Sequence, residues 1–342
     1  MRKFYDGAEW DVLEVRYVRG DDGVFVSSDD NGLNALPSRL QSLKTGVECA
    51  LCGTAKGLRQ SHIIPAFVFK WLKETSATGF IRSGENPNLR VQDGYKIKLL
   101  CAECEQWFGK WETIFAAKIF YPYLSDPSCQ VAYSHWYAKF CVSVSWRVLV
   151  YYMRRGLKTP LDATQQIAVE RALETWEGFI KGSLRHPDKH EQHILPLASV
   201  ASTTVPDLPN NINRYFQRAV EMDLVIGEKS GALMTYAKLG PLMLFGFVGP
   251  LDPKWVDTRI AVASGVFRPK DYIIPSNLLG FIKDRAQNYS SISNRMSLEQ
   301  VEKVESLVLK NVDRVRASDQ FKAMLDDYDM FGPSAVIRSS TK

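Results

Sequence analysis

The distribution of apolar and polar positions divides the 342-residue chain into stretches of different period. Near the start, "WDVLEVRYV" and "VFVSS" alternate as half-buried strands do, and "RGDDG" supplies a turn between them. From Trp107 the apolar residues Trp107, Phe108, Trp111, Ile114, Phe115 and Ile119 recur at helical spacing, and Glu105 and Glu112 fall on the other side. Trp136 to Arg155 is dense in apolar residues and ends in Arg-Arg-Gly, a helix stop. "TPLDATQQIAVERALETWEGFIKGSL" predicts a second amphipathic helix, with Ile167, Val169, Ala172, Leu173, Trp176 and Phe179 on its apolar face.

A loop rich in Pro, Ser and Thr is expected between Pro187 and Asn211. Four strands follow in the pattern: "AVEMDLVIGE", "ALMTYAKL", "LMLFGFVG" and "RIAVASGVF". Short turns separate them, which predicts an antiparallel sheet. Ser297 to Arg316 closes the pattern as a helix with Val301, Val304, Leu307, Val308 and Val312 on one face. Ser297 and Gln300 have the spacing of a cap. The chain reads as α+β.

Composition adds little until the cysteines are placed. The 45% hydrophobic and 24% charged residues are ordinary for a globular chain, which excludes wholesale disorder. The N-terminus has no apolar core of a secretory signal. Tyr137 to Met153 is the most membrane-like stretch, but Lys139 and Arg147 interrupt it, so a buried helix is expected and no membrane partner. The expected location is cytoplasmic, where disulfides are rare. Four of the six cysteines form two Cys-x-x-Cys pairs, Cys49/Cys52 and Cys101/Cys104. Two such turns can place four thiolates around one tetrahedral ion, so the pairs are read as ligands of a structural Zn2+. A redox pair usually occurs once, and two copies favour metal. Cys129 and Cys141 are expected as small buried hydrophobes.

The net charge of +5 is concentrated here, since ten basic and six acidic residues lie between Cys49 and Lys118. A phosphate backbone would use that surplus, and the residues assigned to it are Arg59, Arg82, Arg90, Lys96, Lys98 and Lys110.

The first pair is followed by "SHIIP", then by an excursion, then by "KIKLLCAEC" and a helix. In this order the region resembles the zinc-supported HNH nucleases of the His-Me finger, or ββα-metal, group. The resemblance covers about residues 46–118. It implies that His62 is the general base that activates water. It places Glu105 where a helix residue holds a catalytic divalent ion, Mg2+ or Mn2+. Ser61 stands where that family usually has a metal-binding Asp or His, and Lys96 stands at its middle Asn. The implied function is a metal-dependent nuclease hydrolysing DNA, or RNA, in bacterial anti-phage or mobile-element defence. The alternative is a catalytically inactive zinc scaffold that binds nucleic acid or a protein partner, and Ser61 and Lys96 favour it. The expected architecture is a β-rich lead-in over residues 1–45, a zinc-knuckle, treble-clef-like ββα module over 46–120 and a helical segment over 121–186. A mostly antiparallel β domain with C-terminal helices follows over 187–342, and it is where a protein partner would bind. His186, His190 and His193 are close in sequence, but Pro187 and polar neighbours suggest a loop rather than a metal site.

Overall fold

A computed structural model describes residues 46–55, 57–157, 159–227, 232–249 and 254–336, together with Leu40 and Leu43. The β-rich lead-in expected over residues 1–45 lies outside the described residues, apart from those two leucines, which are buried in the core. The fold is α+β with antiparallel sheets.

The cysteine region begins with a turn and leads into β1 (Arg59–His62), followed by α1 (Ala66–Glu74). A small hairpin, β2 (Ile81–Arg82) and β3 (Arg90–Val91), projects from the excursion. The chain returns as β4 (Lys96–Leu100), antiparallel to β1, and enters α2 (Ala102–Phe115) at the second cysteine pair. Phe108, Phe115 and Ile119 are buried as the helical period predicts, while Trp107, at the edge of the stripe, stays 43% exposed. A π-helical stretch, Ala116–Phe120, joins α2 to α3 (Tyr121–Ser125), where Pro122 has no amide hydrogen to continue the ladder.

β5 (Val131–Ser134) pairs with β10 (Ser264–Phe267). The helix expected from Trp136 is α4 (His135–Arg155), and Gly156 ends it with φ +86°. α4 is the spine of the molecule, with every residue from Phe140 to Met153 buried. α5 (Ala163–Lys181) packs beside it and opens with a reciprocal cap between Asp162 and Gln165.

The larger sheet has four antiparallel strands in the order β6 (Gln192–Pro196), β9 (Leu242–Phe247), β8 (Leu233–Leu239) and β7 (Val220–Ile226). Its strands are buried on both faces, which explains their nearly unbroken apolar sequence. Leu224, Ala237 and Leu244 face α4 and its surrounding core. Val225, Tyr236, Met243 and Phe245 face a second core with Trp255, Phe281 and Ile282. Gly246 is where α4 comes closest, because a Cβ there would stand 2.4 Å from the Ser145 hydroxyl. α6 (Ile212–Arg218) and α7 (Ser276–Asn294) cover the second face.

The last helices, α8 (Leu298–Lys310), α9 (Val312–Ala317) and α10 (Asp319–Phe331), run back to the excursion. The Ser297 hydroxyl accepts from the Gln300 amide, as the cap spacing predicts. The Ser297 amide donates to the Asn88 side chain at 2.8 Å, and Arg314 Nε donates to the Ser76 carbonyl at 3.2 Å. Among the described residues no helix is long and apolar enough to cross a membrane.

Candidate metal centre and histidine site

The first cysteine pair sits in a tight turn. The Gly53 amide donates to the Cys49 carbonyl at 2.8 Å, and Gly53 itself takes φ +74°, which a residue with a Cβ resists. The second pair straddles the start of α2, with Cys101 at the cap and Cys104 in the first turn. Two backbone links seat the turn on β4: the Ala50 amide donates to the Leu99 carbonyl and the Cys101 amide to Cys49 Sγ.

All four sulfurs of Cys49, Cys52, Cys101 and Cys104 lie within 4.8 Å of one another. Cys52 and Cys101 are 3.8 Å apart. A Zn–S bond of about 2.3 Å puts neighbouring corners of a tetrahedron ~3.8 Å apart, so the cluster has the dimensions to hold a metal such as zinc. Its electrostatics also suit a cation. Burial raises the Cys52 thiol, but hydrogen bonds from the Thr54 side chain and backbone outweigh it and leave its pKa at about 6. Burial and then the nearby Cys49 push Cys104 far the other way. Crowded sulfurs resist joint ionisation until a divalent ion compensates the charge.

His62 ends β1 opposite Lys96. Its Nε2 lies 2.8 Å from Asp93 Oδ2, and Lys96 Nζ lies 2.7 Å from the same oxygen. Burial opposes charge on Asp93, but hydrogen bonds from Lys96, His62 and the Gly94 amide outweigh it and hold its carboxyl below the ordinary value. Gly94 brings the chain against the Phe69 ring, where a Cβ would overlap it. His62 keeps 18% of its side chain exposed.

Ser61, the preceding residue, points into the protein and is fully buried. Its hydroxyl donates to Glu105 Oε2 at 2.6 Å and accepts from the Leu100 amide at 3.3 Å. Glu105 and His62 therefore approach β1 at adjacent residues, but their side chains engage different partners. Glu112, about two turns further along α2, accepts from the buried Arg147 of α4 at 2.7 Å. The same Nη1 of Arg147 donates to the His62 carbonyl at 2.9 Å, and Nε donates to the Ser143 carbonyl. One guanidinium thus ties the strand bearing His62 to both α2 and α4.

The cationic residues assigned to phosphate divide into two sets. Arg59, Lys98 and Lys110 are exposed. Arg82 is drawn into internal contacts, donating to the Pro87 carbonyl at 2.7 Å and to Gln300 Oε1 at 3.3 Å. Arg90 lies 4.0 Å from the Phe80 ring centroid, and Lys96 is paired with Asp93. Cys141 is fully buried as expected, and Cys129 is only partly so.

The three clustered histidines go separate ways. His186 is exposed and accepts from the Asp188 amide. His190 meets the Phe247 carbonyl, and His193 meets the Thr258 hydroxyl at 2.7 Å. Burial, and then the Arg259 charge, pulls His193 down to about 3.

Sequence reasoning missed Asp93 and Arg147. Asp93 had only an Asp-Gly turn as its signal. Arg147 had a stronger one, because a cation inside an apolar helix must find partners if that helix is buried. Compared with protein-family models, with curated proteins and with solved structures, the chain matches none of them.

Proposed function

We propose that the region from Cys49 to Phe115 is a zinc-supported HNH-type, treble-clef-like ββα module and that the protein hydrolyses phosphodiesters, with DNA as the favoured substrate and RNA as the second. The observation that carries this reading is that Glu105, one residue after Cys104 of the four-cysteine cluster, bonds Ser61, the strand neighbour of His62. The order of cysteine turn, histidine strand, return strand and carboxylate-bearing helix supports it. So do Arg59, Lys98 and Lys110, exposed cations on β1, β4 and α2 that would meet a phosphate backbone.

In this reading the Asp93 carboxylate, 2.8 Å from Nε2, favours the tautomer of His62 protonated there, which leaves Nδ1 to accept a proton from water. Arg147 holds the His62 backbone so that the ring stays over the strand. A divalent ion on Glu105 would stabilise the leaving oxygen. Glu105 is the one carboxylate at that position, so substrate phosphate and water would complete its shell. A role in defence against phage or mobile elements follows from the resemblance alone.

A second reading is a zinc scaffold without catalysis. The buried Ser61 hydroxyl already satisfies Glu105 Oε2, which favours it.

Plasmid DNA and RNA incubated with the protein and Mg2+ or Mn2+ test the two readings, with His62→Ala compared at equal zinc content. The nuclease predicts cleavage that falls by about 100-fold or more in the variant. Cleavage by neither protein favours the scaffold. Equal cleavage by both places the activity elsewhere.

A further inference from the structure

A cavity of about 880 Å³ opens between the start of α4, the end of α5 with its following turn, and the segment entering β10. His135, the first residue of α4, lines it, and Arg147 lies twelve residues further along the helix, ~18 Å away at 1.5 Å per residue. The cavity is therefore separate from the His62 region, and nothing in the proposed hydrolysis uses it.

The charged residues that line this cavity are all basic. Lys139, Arg185 and Arg259 line it, with His135 and His186, and no carboxylate is among its lining residues. The cations come from different walls. Lys139 sits on the floor, its ammonium donating to the carbonyls of Phe179 and Ile180 and lying 4.2 Å from the Phe179 ring centroid. Arg259 comes from the opposite segment, steadied by Glu191 at 2.9 Å while 55% of its side chain remains exposed. Arg185 stands exposed on the turn after α5. Between these charges Leu184 and Val262 give apolar surface.

We infer that this cavity binds a nucleoside phosphate, with the phosphates among Arg185, Arg259 and Lys139 and the base against Leu184 and Val262. The chemistry selects that class. An inorganic anion would leave the apolar walls unused. A fatty acid carries one charge at one end, whereas three cations on separate walls suit several charges. The volume falls within the ~300–1,000 Å³ of small-molecule sites. Burial lowers the pKa of Lys139, and an anion beside it would reverse that cost. The ligand is either a free nucleotide or the phosphorylated end of a nucleic-acid strand.

Isothermal titration of the full chain with ATP, GTP, CTP and UTP, with adenosine and pyrophosphate as partial ligands, tests the inference. At least one triphosphate is expected to bind with a Kd below about 100 µM, with adenosine and pyrophosphate each about tenfold weaker or more. Arg185→Glu and Ala263→Trp change exposed residues, and each should weaken binding about tenfold or more while His62→Ala leaves it unchanged. A 5′-phosphorylated oligothymidine that binds more tightly than any triphosphate, and loses this with the same variants, identifies a strand end as the source. If it binds more weakly, the ligand is a free nucleotide. The inference is overturned if no triphosphate binds below about 1 mM, or if both cavity variants bind as the native protein does.

Discussion

The β1/β4 pair and the four-stranded sheet are both antiparallel, yet apolar burial and directed links hold them in different proportions. The sheet lies between two apolar cores, with a few buried polar links such as Lys238 to the Phe216 carbonyl and Ser145 to Gln192 added to them. The β1/β4 pair has two short strands, and such a hairpin is marginal by itself. Its strands are tied by directed links instead: the cysteine turn on β4, Ser61 on Glu105, His62 on Asp93, and Arg147 on the His62 carbonyl. Apolar burial fixes a layer without placing any one atom. Directed links place individual atoms and leave part of the His62 side chain in contact with solvent. α4 joins the two regimes, with Val142 and Trp146 in the core shared with the sheet and Arg147 and Arg154 turned to the hairpin.

The contrast is tested most severely at the metal centre. Cys101→Ser, or a strong chelator, should abolish zinc binding and cost at least about 3 kcal/mol. Hydrogen exchange should accelerate in β1, β4 and the start of α2 while β8 and β9 remain protected. Uniform loss of protection across both regions would break the contrast. Arg147→Ala comes next, at about 3 kcal/mol, because it strands Glu112 and the His62 carbonyl. Denaturant melts measure the loss, and Arg147→Lys should restore only part of it, since one ammonium cannot reproduce the fork.

The sheet has its own charge to test. Lys238 is fully buried and donates to the carbonyls of Phe216 and Gly240. Burial lowers its pKa to about 7, with the Glu221 charge acting the other way. Between there and the unfolded value near 10.4 the unfolded chain binds a proton that the folded chain lacks, so stability rises with pH. Lys238→Met removes that slope, which is at most ~1.4 kcal/mol per pH unit, and melts from pH 7 to 10 compare the two proteins.

The smallest effect is expected at Asp93. Its carboxyl is held below the ordinary value, so its contribution is complete above about pH 4 and is lost as pH falls through the lowered value. Asp93→Asn should cost less than about 1 kcal/mol near neutrality, with the difference from native protein vanishing in acid. A large loss at pH 7 would mean that the histidine region depends on this one carboxylate for its fold.

Much of the local structure was legible in the sequence. The helix ending at Gly156, the Ser297 cap and the strands from Val220 to Phe247 each carry their signal in neighbouring residues. The two cysteine pairs were legible because a Cys-x-x-Cys turn presents two sulfurs to one side whatever surrounds it. The contact of Arg82 with Gln300 was not legible, because Gln300 is distant in sequence. The histidine cluster from His186 to His193 dispersed because β6 commits His193 to the sheet and pairs His190 with β9.

What the sequence by itself determined is the principal helices, the strands from Val220 to Phe247 and the pairing of the four cysteines, since capping, periodicity and turn chemistry act over a few residues. By contrast, β6 lies inside the expected loop, and β10 pairs with β5 rather than joining the larger sheet. Only the tertiary structure decided which side chains attend His62. Asp93 reaches it from the excursion and Arg147 from a helix 85 residues away, and contacts across such separations leave no periodic trace. They exist because burying α4 forces Arg147 to find acceptors, and those beyond its own helix are Glu112 and the carbonyl of His62.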